Sequence, residues 1–142
     1  MVASTPQSRK QKGRKFQQDI RDDIQNISPR LTPNDVRSTS MGAQGVDIQL
    51  SGVGIEEIPF AIECKRKEAM NVHGDFIQAK EHAKKEKLLP LLVSKRNHES
   101  TLVHLEWDVF KVILTRLNKV ESELAALKGT KIQTLATTLL KK

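Results

Sequence analysis

The stretch FAIECKR, residues 60–66, closes an apolar run with Glu63, Cys64 and Lys65. Residues two apart on a strand share a face, so Glu63 and Lys65 point the same way. Upstream, VDIQL (46–50) begins a second alternating run with Asp47 near its head. A hairpin joining the two runs, with its turn in GVGIEE near Gly54 and Ile55, sets Asp47 opposite Glu63, Ile48 opposite Ile62 and Gln49 opposite Ala61. Ile48, Leu50, Phe60, Ile62 and Cys64 then share the core face, and Asp47, Glu63 and Lys65 share the other. Carboxylates directly opposed across a ladder stand ~5 Å apart. Both ionised, they repel unless a cation lies between them. All-oxygen donors suit a divalent ion, and Mg²⁺ takes one or two carboxylates plus a substrate phosphate. Lys65 beside it would orient an attacking water or stabilise charge on phosphorus. The spacing suits metal-assisted phosphodiester hydrolysis. The competing reading is a solvated hairpin face with an ordinary cross-strand ion pair.

These side chains need elements to hold them. Phe16, Ile20, Ile24 and Ile27, spaced four, four and three, predict a first helix with one apolar face. Pro29 and Pro33 stop it. DVRSTS predicts a short edge strand and SMGAQG a turn. After the hairpin, NVHGDFIQAKEHAKKEK predicts a basic helix from near Val72, with Phe76, Ile77, Ala79 and Ala83 inward. LLPLLVSK is a continuous apolar run, as expected of a strand covered on both faces. KRNHES reads as a polar turn and TLVHLEW as an alternating strand. From residue 108 the period is helical: Phe110, Ile113, Leu117, Val120, Leu124 and Leu127 form a heptad-like stripe ended by Gly129. TKIQTLATTLLKK is a weaker terminal segment. The order helix, strands, helix, strands, helix is that of an α/β domain.

Composition narrows the partners. The chain has 142 residues and a net charge of +7, enough for one domain with a real core. Arg9, Lys10, Lys12, Arg14 and Lys15 fall in a stretch, residues 1–15, that holds no acid. Outside it 19 cations face 17 acids, so the excess charge is mostly a basic arm, suited to the phosphates of nucleic acid or simply solvated. Lys80, Lys84, Lys85 and Lys87 read equally as a solvated face or a phosphate track. A single cysteine excludes an internal disulfide and a thiolate cluster; by parity Cys64 is a core filler. The four histidines lack paired zinc spacing. Trp107, at a strand–helix junction, is expected in the core. With no tyrosine, no stacking platform for bases is evident. No apolar stretch nears the ~20 residues of a membrane span, and the N-terminus has no apolar leader-like region. The expectation is a cytoplasmic protein without a membrane partner.

GVDIQL followed by FAIECK resembles the core of the PD-(D/E)XK nuclease superfamily. GRKFQQDIRDDI, DVRSTSMGAQGVDIQLS, IECKRKEAMNVHGDFIQAKEHA and PLLVSKRN together resemble small phage-encoded nucleases of that superfamily, which are themselves similar to archaeal-type Holliday junction resolvases. The likeness spans roughly residues 9–111. It implies a restriction-endonuclease-like αβββαβ core with a C-terminal helix, dependence on Mg²⁺ (Mn²⁺ as a substitute), and DNA cleavage leaving a 5′-phosphate. Asp47 and Glu63 would be metal ligands and Lys65 the catalytic lysine. The family often places a glutamate on its first helix as a further ligand; here that place holds Gln17 or Gln18, neutral amides that imply one metal or a role through water. Gln78 reads either as facing the same edge or as surface. Arg37, Ser38 and Ser40, before Asp47, read as a tight turn that the resemblance tilts to DNA contact.

The resulting expectation is a basic arm over 1–15, a nuclease core over 16–111 and a helical oligomerisation segment over 112–142. The activity implied is a structure-selective, resolvase-like DNA endonuclease of phage DNA metabolism, acting on branched or duplex DNA in the host cytoplasm. Paired cuts need two sites, hence a homodimer or higher homo-oligomer. The alternatives are a sequence-specific homing or restriction-type nuclease on the same fold, and a non-catalytic DNA-binding or scaffold protein.

Overall fold

The computed structural model describes residues 5–40, 42–129 and 138–140, and the chain divides into two units, Met1–His104 and Leu105–Lys142. The first unit runs α1 (Pro6–Gln25), β1 (Val36–Ser38), β2 (Ile48–Leu50), α2 (Gly52–Glu57), β3 (Phe60–Arg66), α3 (Val72–Glu86), β4 (Leu89–Lys95) and β5 (Leu102–His104). Its five-stranded sheet has the order β1-β2-β3-β4-β5. β3 and β4 are parallel and the other pairs antiparallel. A parallel pair needs a long crossover, and α3 supplies it. The unit is therefore α/β with an open mixed sheet.

Each face of the sheet has its helix. On one face Phe16, Ile20 and Ile24 of α1 pack with Leu31, Val36, Ile48, Ile62, Cys64 and Val93, with Leu50 and Phe60 at the margin. That is the core face expected from strand parity. Burying Ile48 and Ile62, each 1% exposed, is worth roughly 1.5–3 kcal/mol apiece. α3 packs on β3 and β4, where Ala61, Leu92, Ala79 and Ala83 are all buried. Two alanines on the inward face of α3 let the helix approach closely. Ile48 pairs with Ile62, the register expected.

Several expectations are corrected. The predicted hairpin turn at GVGIEE is a six-residue helix, α2, capped by Ser51, whose side chain accepts the Gly54 N–H at 3.1 Å. The capping serine turns a Gly-rich connection into a helix. Ile27 lies beyond the Asn26 C-cap and is 65% exposed, because the helix stops before the apolar spacing does. Ile77 does not face inward and is 59% exposed; the inward stripe instead carries Asp75, one turn before Ala79, buried and paired with Lys67. The cations of residues 9–15 are not a separate tail but the first turns of α1, which starts from a Thr5 cap and Pro6.

The second unit holds α4 (Trp107–Lys128), ended by Gly129 in the left-handed region at φ 62°. No α4 residue is buried. Trp107, expected in the core, is instead 66% exposed, with its ring centroid 5.8 Å from that of Phe110. The weak terminal segment expected over 130–142 lies outside the described residues except for 138–140. Among the described residues no helix is long and apolar enough to cross a membrane.

Candidate functional site

Asp47 sits immediately before β2, where its N–H donates to the Ile62 carbonyl at 3.2 Å. Together with the Ile48–Ile62 pair this sets Asp47 across from Glu63. The loop that delivers it turns at Gly42 (φ 85°) and Gly45 (φ 110°), backbone conformations that favour glycine. The Cys64 N–H donates to Asp47 Oδ2 at 2.7 Å, and Gln17 Nε2 from α1 donates to Oδ1. Glu63 is 3% exposed. Its Oε1 accepts from Lys65 Nζ at 2.6 Å, and its Oε2 lies 3.0 Å from His82 Nδ1 on α3. Asp47, Glu63 and Lys65, expected together from parity, thus lie at neighbouring positions where the chain entering β2 meets β3.

The electrostatics follow from burial. Desolvation pushes the Asp47 carboxyl from 3.8 up to about 6, and the Glu63 charge pushes the same way. The Cys64 N–H, Lys65 and Gln17 oppose the rise without cancelling it. A second ionised carboxylate beside Glu63 is therefore costly in the protein alone. Burial also pushes the Cys64 thiol up, with Asp47 and Glu63 adding to it. A thiol held protonated is no nucleophile, in line with a core role.

Gln17, rather than Gln18, makes the contact from α1. Its Oε1 is buried and has no hydrogen-bond partner. Gln18 and Gln78 are half-buried and hydrogen-bond to none of Asp47, Glu63 and Lys65. The α3 residue that does reach Glu63 is His82, which sequence reasoning missed. Its signal was helical: His82 lies three residues after Ala79 and next to Ala83, on the inward stripe of α3. Among the described residues no three His, Cys, Asp or Glu side chains form a ready-made metal cluster; the acids here are a pair with an amide oxygen nearby.

The cations expected to meet nucleic acid divide into groups. Arg9 and Lys12 line a cleft with Arg66 and Lys67. Lys10 and Arg14 are exposed elsewhere on α1, and Lys15 pairs with Asp19 at 3.1 Å. Arg37 donates to Asn34 Oδ1 at 3.0 Å and, with Ser38, lines a separate hollow beside Arg21 and Asp22. Ser40 is exposed, its carbonyl accepting from the Ala43 N–H in the turn before Asp47. Comparison with protein-family models, curated proteins and solved structures finds no match to this chain.

Proposed function

We propose that this protein is a Mg²⁺-dependent DNA endonuclease built on a PD-(D/E)XK-like core. The observation that carries the reading is the Asp47–Glu63 pair on facing backbone positions, with Lys65 bonded to Glu63. The residues fit a hard divalent cation. The donors are oxygens, each carboxylate oxygen keeps a lone-pair site beyond its present partner, and Gln17 Oε1 is an orphaned buried acceptor beside them. Asp47 and Glu63 would hold the ion, with Gln17 turning its oxygen inward, and water and substrate phosphate would complete the shell. Bound there, Mg²⁺ would supply Lewis-acid polarisation of the phosphodiester and neutralise its charge.

The chain's own residues do the rest. Lys65 Nζ, which donates to Glu63 Oε1, would orient the attacking water or stabilise the charge gathering on phosphorus. Water adds to phosphorus, the bond to the 3′-oxygen breaks, the water's proton passes to solvent and the leaving oxygen takes one up. The products are a 5′-phosphate and a 3′-hydroxyl. His82 fixes the orientation of Glu63 from behind. Backbone-directed cations and few aromatic side chains favour recognition of DNA shape over base edges, hence a structure-selective, resolvase-like enzyme.

A second reading has an observation of its own. In the metal-free protein each oxygen of Asp47 and Glu63 already has a protein partner, which suits a closed ion-pair network in a non-catalytic DNA-binding protein. One experiment separates the two. Four-way junction, flap and linear duplex DNA are incubated with the protein in Mg²⁺ and in chelator. The nuclease reading expects cutting only with Mg²⁺, strongest on the junction. Lys65→Ala and Asp47→Ala should each lose at least ~10²-fold in rate while binding DNA nearly as well. Lys65→Ala cutting at the wild-type rate would end this mechanism.

A further inference from the structure

The α1 stripe that packs on the sheet does not end at Phe16. Lys12 lies four residues and Arg9 seven residues before it, so both continue the same helix face. On β3 the even-numbered residues facing α1 are Phe60, Ile62 and Cys64, and the next is Arg66. The apolar parts of helix and strand meet in the core, and their cationic ends meet beyond it. They line a cleft of about 540 Å³ with Lys67, Glu68 and Asn97. Four cations face one acid there. Glu68 Oε1 accepts the Asn97 N–H at 2.9 Å. Lys67 is held by Asp75 Oδ1 at 2.7 Å. Arg66 donates to Asn97 Oδ1 at 3.3 Å, and its Nε is buried without a hydrogen-bond partner. Like charges brought together around an unsatisfied guanidinium N–H call for an anion with several acceptor oxygens.

We infer that this cleft binds a backbone phosphate of a nucleic-acid strand, away from the Asp47–Glu63 pair. Glu63 and Arg66 stand three residues apart on β3 and therefore on opposite faces of the sheet. The phosphate site does not rest on the nuclease reading above. Lys12 and Arg66 grip the phosphate, and Asn97 holds the Arg66 fork in place.

The test uses the full chain in chelator with a fluorescently labelled duplex of about 30 base pairs, a length that spans several helical turns. Affinity is measured by anisotropy across a salt series. Lys12→Ala should weaken binding roughly tenfold and lower the slope of log K against log salt by about one. Arg66→Lys keeps the charge but not the fork and should weaken binding at an unchanged slope. Arg66→Ala is used only if circular dichroism shows it folded. The control replaces Lys128, exposed at the end of α4, with alanine. An unchanged affinity and slope for Lys12→Ala, or an equal loss in that control, overturns the site. Inorganic phosphate at matched ionic strength provides another arm. If it raises the melting temperature of wild type but not of Lys12→Ala, while duplex affinity is untouched, the cleft takes free phosphate and the nucleic-acid assignment is wrong. If wild type cuts no DNA in Mg²⁺ but the cleft variants lose affinity as expected, the phosphate site stands and the nuclease reading falls.

Discussion

Asp47 is where burial and charge conflict most openly. Its carboxyl titrates near 3.8 in an unfolded chain and is pushed up to about 6 in the folded one, chiefly by desolvation. The folded state therefore binds the proton more tightly than the unfolded state. The associated stability is fully present below about 3.8 and is lost as pH rises through about 6. In chelator at pH 7.5 the ionised side chain is thus a liability of roughly 1–3 kcal/mol, allowing for solvent reaching the site. Asp47→Asn removes it. The Asn oxygen can still accept the Cys64 N–H, and its amide can donate to the orphaned Gln17 Oε1 once that side chain flips. Urea unfolding should show the variant more stable than wild type by that amount at pH 7.5 and no more stable near pH 4. A gain that persists in acid would mean that desolvation of the carboxylate is not the cause. At this scale the pairing was legible in advance: the register sets Asp47 across from Glu63, and Lys65 donates to Glu63 from two residues on. Gln17 and His82 come from helices on opposite faces of the sheet, and only tertiary packing tells which helical residue reaches which carboxylate.

At the scale of elements, the strands and α3 of the first unit follow from the sequence pattern, and the departures are α2 and the extension of α1 back through the basic segment to Pro6. Two glycines in GVGIEE signal a turn, yet Ser51 caps a short helix there. The register survives because α2 simply replaces the turn as the connection between β2 and β3: Ile48 still meets Ile62. Gly54 has a packing reason that sequence could not reveal. A Cβ on it would lie 2.7 Å from the Asp35 carbonyl oxygen and 3.1 Å from Leu50 Cβ. At Gly52 a Cβ would meet nothing within 4 Å. Gly54→Ala should accordingly cost roughly 1–3 kcal/mol by overpacking, whereas Gly52→Ala should be neutral or stabilising by up to ~1 kcal/mol through helix propensity. Denaturant midpoints of the two variants check this, and equal effects would mean that α2 does not press against the β1 approach as described. The basic segment carries a similar lesson. Composition marks residues 1–15 as an arm, but its cations ride on the helix that also bears Phe16, Ile20 and Ile24. Truncation would shorten a core helix, so single substitutions are the cleaner probe of its charge.

At the scale of the whole molecule the two units conceal apolar surface in different ways. The first has its own core. In the second, Phe110, Ile113, Val120, Leu124 and Leu127 are exposed and Leu117 is half-buried along α4. Their three-and-four spacing is that of a coiled-coil seam, and an isolated helix of this kind gains little stability without a partner. We propose that the partner is a second copy of this chain. Lys111, Arg116, Asn118 and Lys119 flank the seam together with Glu121 and Glu123, so two such helices can bury the stripe while setting opposite charges beside it. A twofold dimer is the simplest closed arrangement. It would also give a nuclease two sites for paired cuts on a symmetric junction, a consequence that depends on the activity proposed above. Leu117→Glu with Leu124→Glu should then give a monomer by sedimentation that nicks one strand but no longer makes paired cuts. Its sheet domain should remain folded by far-UV circular dichroism, since neither leucine belongs to the α1–sheet core. Trp107, the single tryptophan, lies within 5.8 Å of Phe110 at the start of the seam and should report the same change by fluorescence. A wild-type protein that sediments as a monomer at micromolar concentration would rule the dimer out, whatever the outcome of the cleavage assays.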